Sequence, residues 1–193
     1  MFSAMAKKAV KLLDVQSDME AEDRELYEYG FHMLFAKSFF FLLSVLLGYL
    51  FHIIMESIVF FLLFSAIRSY AGGVHAKKES SCTILTSGAL LAAIAGIKWS
   101  IVTDQLLVPL SLSFASAAII LAYAPLDSSQ KPLDQEERKQ FRKTSCLLLL
   151  LIGAIAVFSL AIQREGLFCA CAGSLALEGV LLLAGHLKQK IAK

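Results

Sequence analysis

Between Arg68 and Cys82 the chain reads RSYAGGVHAKKESSC, a polar, glycine-bearing stretch set between two long apolar runs. It contains His75 and Cys82, an imidazole and a thiol. A thiol becomes a nucleophile at neutral pH when a base or a positive field favours its thiolate, and a histidine in the same short loop can supply the base. Ser80 and Ser81 precede the cysteine and suit a helix start. Cys82 is therefore expected in the first turn of the following helix, where the macrodipole favours a negative sulfur. Spacing alone also allows an incidental pair, a loop histidine near a helix-start cysteine.

The elements around the pair must bring the two side chains together. One straight helix through both would separate them by roughly 10 Å along its axis, beyond hydrogen-bond reach, so the chain has to break between them. Gly72 and Gly73 can end the preceding helix, and Glu79-Ser80-Ser81 can start the next. The same glycines could let backbone N–H groups approach a substrate carbonyl as an oxyanion hole. Arg68 is either an anchor that snorkels to the headgroups or a grip on a substrate carboxylate. Glu79 and Asp127 are candidates for orienting the imidazole, against the plainer reading of solvated loop carboxylates.

These residues sit in a chain of 193 residues that is 58% hydrophobic and 18% charged, with a mean hydropathy of +0.69. That composition points to an all-α integral membrane protein forming a single membrane domain over residues 1–193. Residues 1–15 place Phe2, Met5, Ala6, Ala9, Val10, Leu12 and Leu13 on one helical face and Lys7, Lys8, Lys11 and Asp14 on the other. They are expected to form an amphipathic helix lying in the interface of the lipid bilayer, or else packed on the body of the protein. Six apolar segments follow within residues 31–187, near Phe31–Phe51, Ile53–Ile67, Thr83–Ser100, Leu106–Tyr123, Ser145–Ile162 and Leu167–Leu187. Each is close to the roughly 20 residues of a bilayer crossing. The second is the shortest, and Arg68 to Ala71 can complete it.

Basic residues set the expected orientation. Lys7, Lys8, Lys11 and Arg24 lie at the start; Arg68, Lys77 and Lys78 beside the His75/Cys82 loop; Lys131, Arg138, Lys139, Arg142 and Lys143 in a later loop; Lys188, Lys190 and Lys193 in the tail. The alternate connections carry only Lys98 and Arg164. By the positive-inside rule the topology is N-in/C-in, with the His75/Cys82 loop on the cytoplasmic side of the cell membrane. No signal-peptide pattern precedes the first helix, so the chain is expected to be mature from Met1. A net charge of +2 gives no ground for nucleic-acid binding. No metal site or cofactor is expected: the cysteines at 82, 146, 169 and 171 lack paired zinc spacing, and no H-E-x-x-H occurs. Cys146, Cys169 and Cys171 read as packing residues, and Cys169 and Cys171 cannot share a helix face. Glu178, deep in the last apolar run, is a functional candidate, or a protonated carboxyl bonded to a neighbouring helix.

The run R-x-Y-A-G-G-x-H-A followed by Cys82 resembles the signature of the accessory gene regulator B (AgrB) family. A second block, Ala124-Pro125-Leu126-Asp127 with Lys131-Pro132-Leu133, is similar to that family's A-P-x-D-x-x-x-K-P segment. The resemblance implies a membrane cysteine endopeptidase with His75 and Cys82 as its catalytic residues. Such an enzyme cleaves the C-terminal tail from a short, AgrD-like quorum-sensing precursor through a thioester and promotes cyclisation to a thiolactone or lactone. It also implies a homodimer. Arg68, Gly72, Gly73 and Lys131 are the candidate substrate-binding residues, and the basic loop from Lys131 to Lys143 would attract an acidic precursor tail. The rival reading is a non-enzymatic small membrane transporter or scaffold, in which the glycine loop is a gate or contact surface and Cys82 is passive. Composition and topology fit both, and only the local motif separates them.

Overall fold

Apolar runs this long cannot leave backbone N–H and C=O groups unpaired in lipid, so each closes its hydrogen bonds within itself as a helix. The computed structural model describes residues 2–14, 21–73, 79–126 and 134–191, and all its regular elements are helices. They are α1 (Phe2–Asp14), α2 (Ala21–Leu50), α3 (Ile54–Ala71), α4 (Glu79–Val102), α5 (Leu107–Tyr123), α6 (Gln135–Ala161) and α7 (Glu165–Ile191). Five of them, α2, α3, α4, α6 and α7, are long and apolar enough to cross a membrane. This is a multi-pass membrane architecture. The shortest apolar segment is α5, with 17 residues, and not the one after Phe51: α3 takes in Arg68 to Ala71 and reaches 18. At 1.5 Å per residue α5 spans about 25 Å, at the lower limit for a hydrocarbon core of about 30 Å.

The bundle is arranged around α7, which packs against α3, α4, α5 and α6. Its Cys169 and Ala170 join one buried cluster with Phe60, Phe61, Phe64, Leu90 and Ile94. Its Cys171, Leu175 and Leu182 join another with Ile67, Ala71, Ile120, Leu149 and Ile152. The two cysteines thus face different neighbours, as their spacing requires. Small residues allow close approach: a Cβ on Gly179 would lie 2.6 Å from Ser116 Oγ, so α5 and α7 meet almost backbone to backbone there. Leu42, Leu46, Leu62, Ile84, Leu150, Val157 and Phe158 point outward and are exposed. In water such a surface would be a liability; in lipid it is the ordinary exterior of a bundle.

The amphipathic helix α1 buries Phe2, Ala6 and Val10 against α2, running antiparallel to it. Phe2 meets Phe39 and Phe40 with ring centroids 5.4 and 6.5 Å apart. Further along, Lys7 lies 3.7 Å from Glu28, and Arg24 pairs with Asp14. The apolar face of this helix thus packs on the body of the protein through α2.

Three short turns, after α2, α4 and α6, share one geometry. His52, Asp104 and Gln163 take φ of 56°, 54° and 56°. The next residue's N–H reaches back to the carbonyl five positions earlier: Ile53 to Gly48 at 2.8 Å, Gln105 to Ser100 at 3.1 Å, and Arg164 to Ser159 at 2.8 Å. This is the Schellman arrangement, built without the usual glycine, which explains why the sequence does not advertise it. The basic stretch expected as a loop up to Lys143 is helical from Gln135. Asp134 and Glu137 form a capping box that starts α6 there.

Candidate functional site

Helix α3 ends where Gly72 adopts φ 81° and ψ −155°, a conformation almost confined to glycine. Its N–H donates to Arg68 O at 3.3 Å, so that donor closes the helix end. Gly73 follows with φ 138°. The Arg68 side chain folds back over this turn and donates from Nη1 to Gly72 O at 2.6 Å. It fills the space beside Gly73, where a Cβ would fall 1.7 Å from the same nitrogen. The turn needs glycine at both positions, for conformation and for room.

The two sequence blocks meet at this turn. Leu126 donates its N–H to Ala71 O at 2.9 Å, and Gly72 and Leu126 form an isolated parallel β-bridge. The approach is close enough that a Cβ on Gly72 would lie 2.4 Å from Leu126 O. The Ala124–Pro125 bond just before it is cis. Tyr70 stacks edge-on against Phe141 of α6, with centroids 5.6 Å apart, and Lys37 of α2 donates to Ser69 at 3.2 Å. Arg138, Lys139 and Arg142 line a cavity of about 260 Å³ with Ala122, Tyr123, Ala124 and Pro125. The end of α3 is thereby fixed from α2, from α6 and from the segment after α5.

On the far side of residues 74–78, α4 begins at Glu79 and holds Cys82 in its first turn, half-buried. Ser80 and Ser81 lie inside the helix. Glu79, a candidate for orienting the imidazole, accepts from the backbone N–H of Phe2 at 2.7 Å and of Ser3 at 3.3 Å. It ties the start of α1 to the turn that carries Cys82. His75 and Lys131 lie outside the described residues, as does Asp127. Among the described residues no group of three His, Cys, Asp or Glu is placed to hold a metal ion. Cys146 is half-buried, and Cys169 and Cys171 are buried; all are free thiols.

Glu178 of α7 is fully buried, and its Oε1 lies 3.8 Å from Arg68 Nη1. The sequence marked both residues separately. Their pairing had a partial signal: an ionisable group deep in an apolar segment calls for a polar partner on a neighbouring helix, and Arg68 closes a neighbouring apolar run. The backbone pairing of Gly72 with Leu126 had none, because a main-chain bridge leaves no mark on residue type.

The family model for accessory gene regulator B matches residues 6–182 of this chain. The chain belongs to the accessory gene regulator B family. An AgrB-like protein of Clostridium perfringens strain SM101 is 24% identical over 159 residues, covering 79% of this chain and 73% of that protein. The accessory gene regulator protein B of Staphylococcus intermedius is 25% identical over 156 residues, covering 80% of each. No solved structure shows a significant match. For this AgrB-family chain the matched range takes in the whole of α2 to α6, with the Arg68–Cys82 and Ala124–Leu133 blocks that the fold joins through Gly72 and Leu126.

Proposed function

We propose that this quorum-sensing accessory gene regulator protein is a membrane-embedded cysteine endopeptidase and peptide cyclase acting on a short, AgrD-like precursor. The observation that carries the reading is the backbone pairing of Gly72 with Leu126. It gathers the two family blocks at one turn, on a chain that continues into a helix with a half-buried thiol in its first turn. In this reading His75 takes the proton from Cys82, and the thiolate attacks the carbonyl carbon of one precursor peptide bond. The C–N bond breaks, His75 returns the proton to the departing amine of the tail, and the remaining peptide is held as a thioester on Cys82. A thiol or hydroxyl within that peptide then attacks the thioester carbonyl. The bond to Cys82 breaks, the enzyme thiol is regenerated, and a thiolactone or lactone ring leaves.

Exchange of one thioester for another is nearly isoenergetic, whereas making a thioester from an amide is uphill, so loss of the cleaved tail drives the sequence. The first four N–H groups of a helix have no intrahelical acceptor. Those of α4 are therefore suited to receive the oxyanion, as Gly72 N–H is engaged with Arg68 O. Gly73 remains a further donor, and Lys131 and the α6 cations would draw in an acidic tail. Half-burial of Cys82 between helix ends protects the acyl-enzyme from water. The full reading has six spans in an N-in/C-in arrangement, the site on the cytoplasmic side, and a homodimer.

Co-expression with a short, AgrD-like precursor peptide, followed by mass analysis, tests it. Cys82→Ala and His75→Ala should insert normally and release no tail. Cys82→Ser should bind precursor without turnover, since a hydroxyl is far less acidic than a thiol. Undiminished cleavage by Cys82→Ala would leave a transporter or scaffold as the reading.

A further inference from the structure

A carboxylate buried in the middle of a membrane bundle is costly, and Glu178 is buried completely. Neither of its oxygens has a hydrogen-bond partner among the described residues. The cation facing it is Arg68, whose Nη1 lies 3.8 Å from Oε1, a charge contact too long for a hydrogen bond. That same nitrogen donates to Gly72 O at 2.6 Å and occupies the space beside Gly73. The Arg68 side chain is 21% exposed, so a route to water and headgroups is open to it. An arginine with such a route swings outward when nothing inside holds it.

We propose that Glu178 is a positioning residue for the site described above: from the core of α7 it holds the Arg68 guanidinium over the end of α3, and so fixes the Gly72–Gly73 turn. The order of contacts is Glu178 to Arg68, Arg68 to Gly72 O, and Gly72 to Leu126. The first link joins α7 to α3, the second closes the end of α3, and the third joins it to the segment after α5; the turn they hold leads into the segment that contains His75. Glu178 is not needed to keep α7 packed. Leu175 and Leu182, on the neighbouring turns of the same face, are buried in the cluster shared by α3, α5, α6 and α7. A side chain of the same shape but without a carboxyl at 178 therefore keeps the packing and alters the contact with the guanidinium.

The inference rests on the endopeptidase reading, and its test separates the two. Full-length Glu178→Gln, Glu178→Asp, Arg68→Lys and the Glu178→Gln/Arg68→Lys double variant are compared in membranes, with Cys82→Ala alongside. Glu178→Gln should lower kcat for tail release at least tenfold with KM within threefold of the parent. Glu178→Asp should recover part of the loss, and the double variant should be no worse than the poorer single one, as residues of one unit behave. Independently of activity, hydrogen exchange at the Gly72 and Leu126 amides should quicken at least tenfold in Glu178→Gln, with amides around Leu175 and Leu182 unchanged. Parent-like cleavage and exchange in Glu178→Gln would overturn the proposal, as would additive losses in the double variant. If Glu178→Gln fails to insert, Glu178→Asp with Arg68→Lys decides by the same exchange readout. Cleavage by Cys82→Ala would instead sink the endopeptidase reading, leaving the exchange result to judge Glu178.

Discussion

Replacing Gly72 by alanine puts a methyl group where the fold has left no room. At φ 81° and ψ −155° a residue with a Cβ is strained by about 1–3 kcal/mol. The new Cβ would also lie 2.4 Å from Leu126 O, a backbone atom that can yield only if the bridge opens. Opening it gives up the Leu126 N–H to Ala71 O hydrogen bond of 2.9 Å, about 0.5–1.5 kcal/mol net. Together these destabilise the turn by about 1.5–4.5 kcal/mol, which corresponds to a roughly 10- to 1,600-fold rise in its open population. Hydrogen exchange of the Leu126 amide in the purified protein reads that population directly, and precursor cleavage in membranes should fall with it. Gly88, Gly96 and Gly153 provide the control: a Cβ at each meets nothing within 4 Å, and none has the positive φ. Their alanine variants should match the parent or gain up to about 1 kcal/mol from helix propensity. Parent-like exchange and cleavage in Gly72→Ala would refute the reasoning, and so would equal damage from the three helical glycines.

An iodoacetamide-type probe on the folded protein should label Cys82 while sparing Cys169 and Cys171, which are 1% and 0% exposed and should react only after unfolding; alanine at Cys146, Cys169 or Cys171 should leave cleavage within a few-fold of the parent. Glu79→Ala removes the acceptor for the Phe2 and Ser3 N–H groups and should release α1 to added protease at lower concentration than in the parent, while α4 stays inserted. Reporters fused after Lys193 or near Lys131 should read cytoplasmic, and those near Asp104 or Arg164 should not; an external C-terminus would rule out the six-span arrangement.

What residue order determined by itself was the set of helices and their chemistry. Apolar run length dictates helices in lipid, because each run must satisfy its own backbone, and α4 and α5 begin and end close to where hydropathy places them. The glycine pair marked the end of α3, since φ values of 81° and 138° are open to few other residues. Boundaries were less legible where charge continued a helix past its apolar part. Both α2 and α6 start earlier than hydropathy implies, and for α6 the Asp134–Glu137 capping box is the local reason. The assembly of the site was decided only by tertiary structure. Leu126 meets Ala71 and Gly72 through main-chain atoms, which any residue offers, so no side-chain pattern records the pairing. Glu178 and Arg68 each stood out as ionisable groups in or beside apolar segments. Which of them faced the other depended on the rotation of α7 against α3, and that is set by the packing of Cys171, Leu175 and Leu182 against Ile67 and Ala71.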